Sequence, residues 1–186
     1  MDASRLDLPE PIYVSVGGST VATYELKLDP AKPSAGVVFC HGTPWSAQVW
    51  AQAARHLSAG DRVYLWDMPG YGRSAQGSDV RTDLPTQMLR FAMLLDHWRL
   101  ERPFVVAHDI GGAVALGAHL IHGRDYGSLY LWDVVTLDPW GSDSSGSSRT
   151  TVTSSLPCRI PCTRHWSPNI LREPHISGWT QTSWRC

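Results

Sequence analysis

VVAHDIGGAVAL, residues 105–116, passes from β-branched residues through a carboxylate and paired glycines into an alanine-rich run. Val and Ile favour a pleated, buried strand, whereas the alanines that follow favour a helix. Asp109 therefore falls where the chain turns most sharply. It is flanked by small residues two positions to either side, Ala107 and Gly111, with Gly112 behind. Small residues are required at such a corner because strand, turn and helix backbones approach too closely for larger side chains. An acid at this bend is either a group presented for chemistry or a cap for the helix that follows, since Asp is a favoured N-cap.

Working outward, residues 12–17 and 20–28 alternate in polarity around Gly17-Gly18, which predicts a β-hairpin. GVVFC at 36–40, RVYLWD at 62–67, PFVVAH at 103–108 and SLYLWD at 128–133 are short apolar runs suited to burial on both faces of a sheet. Helices are predicted between them. The first is 46–60, with Val49, Ala53, Ala54 and Leu57 as its apolar face and Gly60 as its stop. The second is 84–100, with Pro85 in its first turn, and the third is 111–123, closed by Gly123. Strand and helix alternate from residue 36 onward, which specifies an α/β chain with a mostly parallel sheet behind the N-terminal hairpin. In such sheets ligands bind beyond the carboxyl ends of the strands. Three of those ends carry conspicuous loops, HGTPW (41–45), DMPGYGRS (67–74) and HDIGG (108–112), and all three face one crevice.

Ala107-His108-Asp109-Ile110-Gly111 resembles the nucleophile elbow of the α/β-hydrolase fold, written G-x-S-x-G in its serine form. HGTP at 41–44 resembles that family's oxyanion loop, and DMPGYGRS its D-x-x-G-x-G-x-S loop. The three stand in the family's order across residues 36–112, and the sheet pattern extends the resemblance to about residues 1–140. Aspartate in place of serine is similar to the epoxide hydrolase and haloalkane dehalogenase branch. A carboxylate attacks an sp³ carbon bearing a good leaving group and forms an alkyl ester. The N-terminal dipole of the following helix favours negative charge at the same spot. The resemblance implies a second step, in which a histidine-activated water attacks the ester. The N–H groups of Thr43 and Ile110 would then stabilise the oxyanion, each by about 3–4 kcal/mol. Relatives that grip a halide usually carry Trp after the nucleophile, and fluoroacetate-type relatives carry Arg. Ile110 can do neither, which tilts the expectation toward epoxide-type or undefined hydrolysis.

Other residues around the crevice divide between chemistry and support. His41, Gly42, Pro44 and Trp45 form the loop and pocket wall, with His41 read as a brace for the loop. Trp45 is equally suited to lining the pocket or packing beneath it. His108 is expected to point away from the crevice, Asp67 and Arg73 to fix their own turn, and His119 and His122 to lie on the surface. Asp133, ending the strand after the elbow helix, is the candidate triad acid or else a loop cap. Cys158, Cys162, His165, His175 and Cys186 superficially offer zinc ligands, but no ligand knuckles frame them, so no metal is expected. No cofactor is implied.

Composition sets the outer limits. The chain has 186 residues and a formal net charge of -1, which favours one domain and gives no basic surface for nucleic acid or an anionic membrane. No apolar run approaches the roughly 18 residues of a membrane span. MDASRLDLPEP lacks the basic and apolar regions of a signal peptide. The cysteines are not spaced as a disulfide scaffold, so a cytoplasmic protein acting on a small molecule is expected. A composition break divides residues 1–141 from 142–186. The latter hold ten serines, four prolines, three cysteines and three tryptophans but only two acids, Asp143 and Glu173. No strand or helix period is visible there. A displaced reading frame across the codons for 162–173 permits a helix-like run, so a frame shift near codons 140–143 is expected. The alternative is a disordered tail. The late histidine and the cap tyrosines implied by the resemblance are not recognisable after residue 141. The expectation is an incomplete enzyme that does not turn over, with an apolar edge at 128–133 prone to aggregation. The alternative is a non-catalytic small-molecule binding protein of the same fold. A serine esterase is disfavoured because no serine stands at the elbow.

Overall fold

The computed structural model describes residues 7–26 and 35–135. The boundary at 141/142, the frame-shift reading and the cysteine–histidine set at 158–186 lie outside the described residues. β1 (Ile12–Val16) and β2 (Ser19–Leu26) form the predicted hairpin, turned at Gly17-Gly18. β3 (Val37–Cys40), β4 (Val63–Trp66), β5 (Phe104–Asp109) and β6 (Ser128–Val134) follow, interleaved with α1 (Ala51–Leu57), α2 (Leu84–His97) and α3 (Ile110–Leu120). The six strands form one sheet in the order β1-β2-β4-β3-β5-β6. The pairs β4/β3, β3/β5 and β5/β6 are parallel, and the hairpin joins through the antiparallel β2/β4 pair.

The central strands are apolar throughout because both faces are covered. In β3 and β4 every residue is buried. Alternate side chains divide between two cores, as the strand period of two requires. Val38, Cys40, Tyr64 and Trp66 face α2 and α3, meeting Phe91, Leu94, Leu95, Val114 and Ala118. Val37, Phe39, Val63 and Leu65 face α1 and its approach, meeting Ala47 and Ala54. Trp66 stacks on Phe91 with ring centroids 5.5 Å apart. At the edge among the described residues, β6 leaves Tyr130 and Trp132 about half exposed or more.

α2 begins as expected, with the Asp83 carboxylate accepting the Thr86 N–H and proline in the first turn. α1 departs from expectation in both extent and face. Its predicted span opens instead as a 3₁₀ turn at Ala47–Trp50, initiated by Ser46, and only then becomes α-helical. The tighter turn rotates the buried stripe onto Ala47, Ala51 and Ala54, while Val49, Ala53 and Leu57 are exposed. Alanines let this helix sit close over Phe39 and Leu65, and Trp50 covers Phe39 at a centroid distance of 5.0 Å. His119, expected on the surface, is half-buried. Its Nδ1 lies 2.6 Å from the Arg124 carbonyl and its ring lies against Tyr126, so it fastens the chain beyond α3. Among the described residues no helix is long and apolar enough to cross a membrane.

At the junction of β5 and α3 there is no spare volume. A Cβ on Gly111 would lie 2.3 Å from the His41 carbonyl oxygen and 2.9 Å from the Cys40 carbonyl carbon, both rigid backbone atoms. Gly111→Ala must therefore push α3 off the sheet and is expected to destabilise the fold by at least 1–3 kcal/mol, the usual range of about that size for overpacking. Gly123→Ala meets no atom within 4 Å and pays only for its positive φ. Urea unfolding of the two variants beside the parent checks the difference.

Candidate active site

Asp109 is the last residue of β5 and adopts φ 52°, ψ -127°, a conformation that side chains rarely occupy. This bend carries its side chain away from the helix it precedes. Asp109 makes no side-chain cap hydrogen bond to α3. Its Oδ2 instead accepts the Thr43 N–H at 2.7 Å, across 66 residues of sequence. Gly42 makes that approach feasible, since a Cβ there would lie 2.6 Å from the Asp109 Cβ and 2.8 Å from Oδ2. The carboxylate is half-buried. Ile110 begins α3, so its N–H belongs to the first turn, whose donors have no acceptor within the helix. The structure thus brings Thr43, Ile110 and Asp109 together at the ends of β3 and β5.

His41 is fully buried directly beneath this loop. Its Nε2 accepts the Met68 N–H at 2.9 Å, which places the ring proton on Nδ1, donating to the Gly42 carbonyl at 2.9 Å. Burial holds its pKa below the ordinary imidazole value, prevailing over the opposing charges of Asp67 and Asp109. With both nitrogens engaged, His41 ties the 41–45 loop to the 67–74 loop as a neutral brace. His108 lies against Trp132, with ring centroids 5.6 Å apart.

Asp67 organises more than its own turn. Its Oδ1 accepts the Ala47 N–H at 2.7 Å. Its Oδ2 accepts both the Tyr24 hydroxyl at 2.9 Å and the Arg73 N–H at 2.8 Å. Ser74 Oγ then accepts the Ala22 N–H at 2.8 Å and donates to the Asp67 carbonyl. The buried carboxylate and hydroxyl together join β2, the approach to α1 and the 67–74 loop. Burial and the adjacent Asp67 charge push the Tyr24 phenol well above its usual range. Arg73 reaches outward to Glu10 at 2.9 Å.

Asp133 lies at the end of β6, beside the β5 residues that lead into the elbow. It is exposed, with φ 47°, and is the extra residue where the β5/β6 register slips between the pairs His108–Trp132 and Asp109–Val134. Among the described residues it has no hydrogen-bond or ion-pair partner. Pro44 and Trp45 line an open depression of about 480 Å³ with Ser46, Gln48, Val49 and Gly72, and Trp45 is 55 % exposed. Asp109 is not in that lining, so the depression flanks the cluster rather than containing it. One crevice residue escaped the motif reading. The Tyr71 hydroxyl lies 3.1 Å from Thr43 Oγ1, and its ring meets His41 edge-on at 5.5 Å. The only sequence signal for it is an aromatic residue set between Gly70 and Gly72, both of positive φ.

Two measurements check this account of the supports. Asp67→Ala strands three donors, at about 1–3 kcal/mol each, and is expected to lower unfolding free energy by at least about 3 kcal/mol. His41, whose pKa is lowered on folding, binds protons more readily in the unfolded chain. Its contribution is present above about pH 6.5 and is lost as pH falls below that value. The urea midpoint is expected to drop between about pH 7 and 5 in the parent chain and less in His41→Gln.

Residues 36–124 match the family model described as alpha/beta hydrolase fold. Among solved structures, an alpha/beta hydrolase fold protein from Burkholderia ambifaria is 35% identical with a TM-score of 0.68, covering 74% of this chain and 49% of its own. Among curated proteins, a dihydrolipoyllysine-residue acetyltransferase component of the acetoin cleaving system from Pseudomonas putida is 32% identical over 69% of this chain and 34% of its own length. An epoxide hydrolase from Caballeronia sordidicola is 32% identical over 67% and 39% respectively. The chain spans between a third and two-fifths of the length of these two curated relatives. With its mostly parallel six-stranded sheet, flanking helices and strand-to-helix elbow, the chain has the α/β-hydrolase fold.

Proposed function

We propose that the crevice is that of an α/β-hydrolase-type hydrolase in which Asp109 is the nucleophile toward a small epoxide- or halide-bearing substrate. The observation that carries this reading is the hydrogen bond from the Thr43 N–H to Asp109 Oδ2 at 2.7 Å, made by a carboxylate that leaves its own helix uncapped. With Oδ2 held, Oδ1 is the oxygen free to attack. Oδ1 forms a bond to the electrophilic carbon, and the leaving atom departs with the electron pair of the broken bond. Oδ2 becomes the carbonyl oxygen of the resulting ester. It is already seated on a donor that also suits the oxyanion of a later hydrolysis, with the Ile110 N–H as second donor.

The two curated relatives carry names of different reactions at equal identity, so overall likeness does not choose between chemistries. The elbow residue does. Serine serves acyl transfer, whereas aspartate suits displacement at saturated carbon. Among the two leaving groups an epoxide oxygen is favoured, because the Ile110 side chain has no donor for a halide. The likeness to an epoxide hydrolase points the same way.

Hydrolysis of the ester needs a general base. Among the described residues both ring nitrogens of His41 are engaged, and His108, with its ring against Trp132 and Nδ1 toward Gly42, has no hydrogen bond there that orients it as a base. Asp133, at the end of β6, is the acid available to orient a histidine supplied from elsewhere. The described residues therefore account for a single alkylation that stops at the ester. Intact-mass spectrometry with styrene oxide should show a single adduct, mapping to Asp109 and absent from Asp109→Asn. Sustained diol release would overturn the stalled half-reaction. Saturable binding without any adduct, retained in Asp109→Asn, would instead identify a non-catalytic binding protein.

A further inference from the structure

We propose that Ser74 and His41 are positioning residues in a single directional hydrogen-bond relay, which runs from β2 to the Asp109 carboxylate and strengthens the Thr43 N–H as a donor. The Ala22 N–H donates to Ser74 Oγ at 2.8 Å, and the Ser74 hydroxyl donates to the Asp67 carbonyl. That carbonyl shares a peptide unit with the Met68 N–H, which donates to His41 Nε2 at 2.9 Å. The His41 Nδ1–H donates to the Gly42 carbonyl at 2.9 Å. This second carbonyl shares a peptide unit with the Thr43 N–H, which ends the relay on Asp109 Oδ2 at 2.7 Å.

Every intermediate group accepts on one side and donates on the other. Two backbone amides, which can only donate, impose that direction. The Ala22 N–H leaves the Ser74 proton for Asp67, and the Met68 N–H confines the His41 proton to Nδ1. A peptide whose carbonyl accepts a hydrogen bond becomes a better N–H donor, because electron density moves from nitrogen toward oxygen. Hydrogen bonds joined in this way strengthen one another by about 10–30% per bond. The Gly42 carbonyl also accepts the Trp45 N–H at 3.0 Å, so the last peptide is polarised twice.

The relay is insulated along most of its length. Ala22, Ser74, Asp67, Met68 and His41 are all buried, so water does not compete for their bonds and the low dielectric preserves the polarisation. Burial also keeps the imidazole neutral, the state in which it can accept and donate at once. Only Thr43, at the end, is exposed. The accumulated polarisation is therefore delivered where charge resides on Oδ2, first in the carboxylate and then in the oxyanion of ester hydrolysis.

The test follows the Thr43 amide and His41 Nδ1 protons by NMR on the full chain. His41→Asn keeps a donor at the Nδ1 position, and His41→Gln keeps an acceptor at the Nε2 position. The relay predicts an upfield move of the Thr43 amide proton in His41→Gln and Ser74→Ala, and a smaller one in His41→Asn. A merely mechanical brace predicts the opposite order for the two His41 variants, because His41→Gln retains the Met68 bond between the loops. That order would overturn the proposal. Asp109→Asn removes the terminal charge at nearly constant shape, and the His41 Nδ1 proton is expected to move upfield in response. A stationary His41 proton there would overturn the proposal by itself, even where the His41 and Ser74 variants fail to fold. A second arm rests on Asp109 as nucleophile. After alkylation by styrene oxide, hydroxide-driven release of the ester is expected to be about 3-fold slower in Ser74→Ala than in the parent. Equal release would overturn the relay's effect on the site. Absence of any adduct in the parent would sink the nucleophile assignment alone, and the proton shifts would still decide the relay.

Discussion

The first turn of α3 runs against the His41 carbonyl with less than one carbon atom of clearance at Gly111. That contact locks the elbow over the end of β3 and, with it, the position of Asp109. The left-handed φ of Asp109 is tolerable only because the strand behind it and the helix ahead are both anchored in the core. Val105, Ala107, Val114 and Ala115 are essentially fully buried on either side of the bend. Gly42 completes the constraint by letting the carboxylate lie on the oxyanion loop. A side chain at either glycine would separate the two loops whose proximity defines the crevice.

Around that contact, two buried ionisable residues act as fasteners. His41 stays neutral and uses both ring nitrogens on backbone groups of two different loops. Asp67 uses both oxygens on three donors from three different segments. Neither has a free valence for substrate. The groups left available at the rim are few: the Asp109 carboxylate, backbone donors of Thr43 and Ile110, the Thr43–Tyr71 hydroxyl pair, and the apolar surface of Trp45. Fixing the loops with buried polar groups confines reactivity to a narrow strip above the sheet.

The strands and the elbow were legible because their signals are local. Continuous apolar runs between turn residues, and glycines spaced around an acid, depend on nothing distant. The face of α1 was not legible, because Val49 and Leu57 match a helical period that the 3₁₀ turn after Ser46 displaces. Small alanines, which carry little pattern, took the buried stripe instead. The register slip at Asp133 is not legible either, because it is decided by how β5 and β6 meet, not by either strand alone. The turn chemistry of DMPGYGRS points to the Arg73 bond of Asp67 but not to Tyr24 or Ala47. Those partners are 43 and 20 residues away. Tyr71 likewise carries no local signal for its contact, since its partner Thr43 stands 28 residues earlier.

The separations in that network also govern when the crevice can come into being. Its fastening bonds span 43 residues for Tyr24–Asp67, 52 for Ala22–Ser74 and 66 for Thr43–Asp109. Each closes a long loop and returns nothing until both ends have met, so the entropic cost falls before the reward. A partial chain that lacks either end of these bonds cannot assemble the crevice. On the proposed reading of Asp109 as nucleophile, its activation is thus an all-or-none product of the last long-range closures, and a partial chain presents only an ordinary carboxylate to an electrophile.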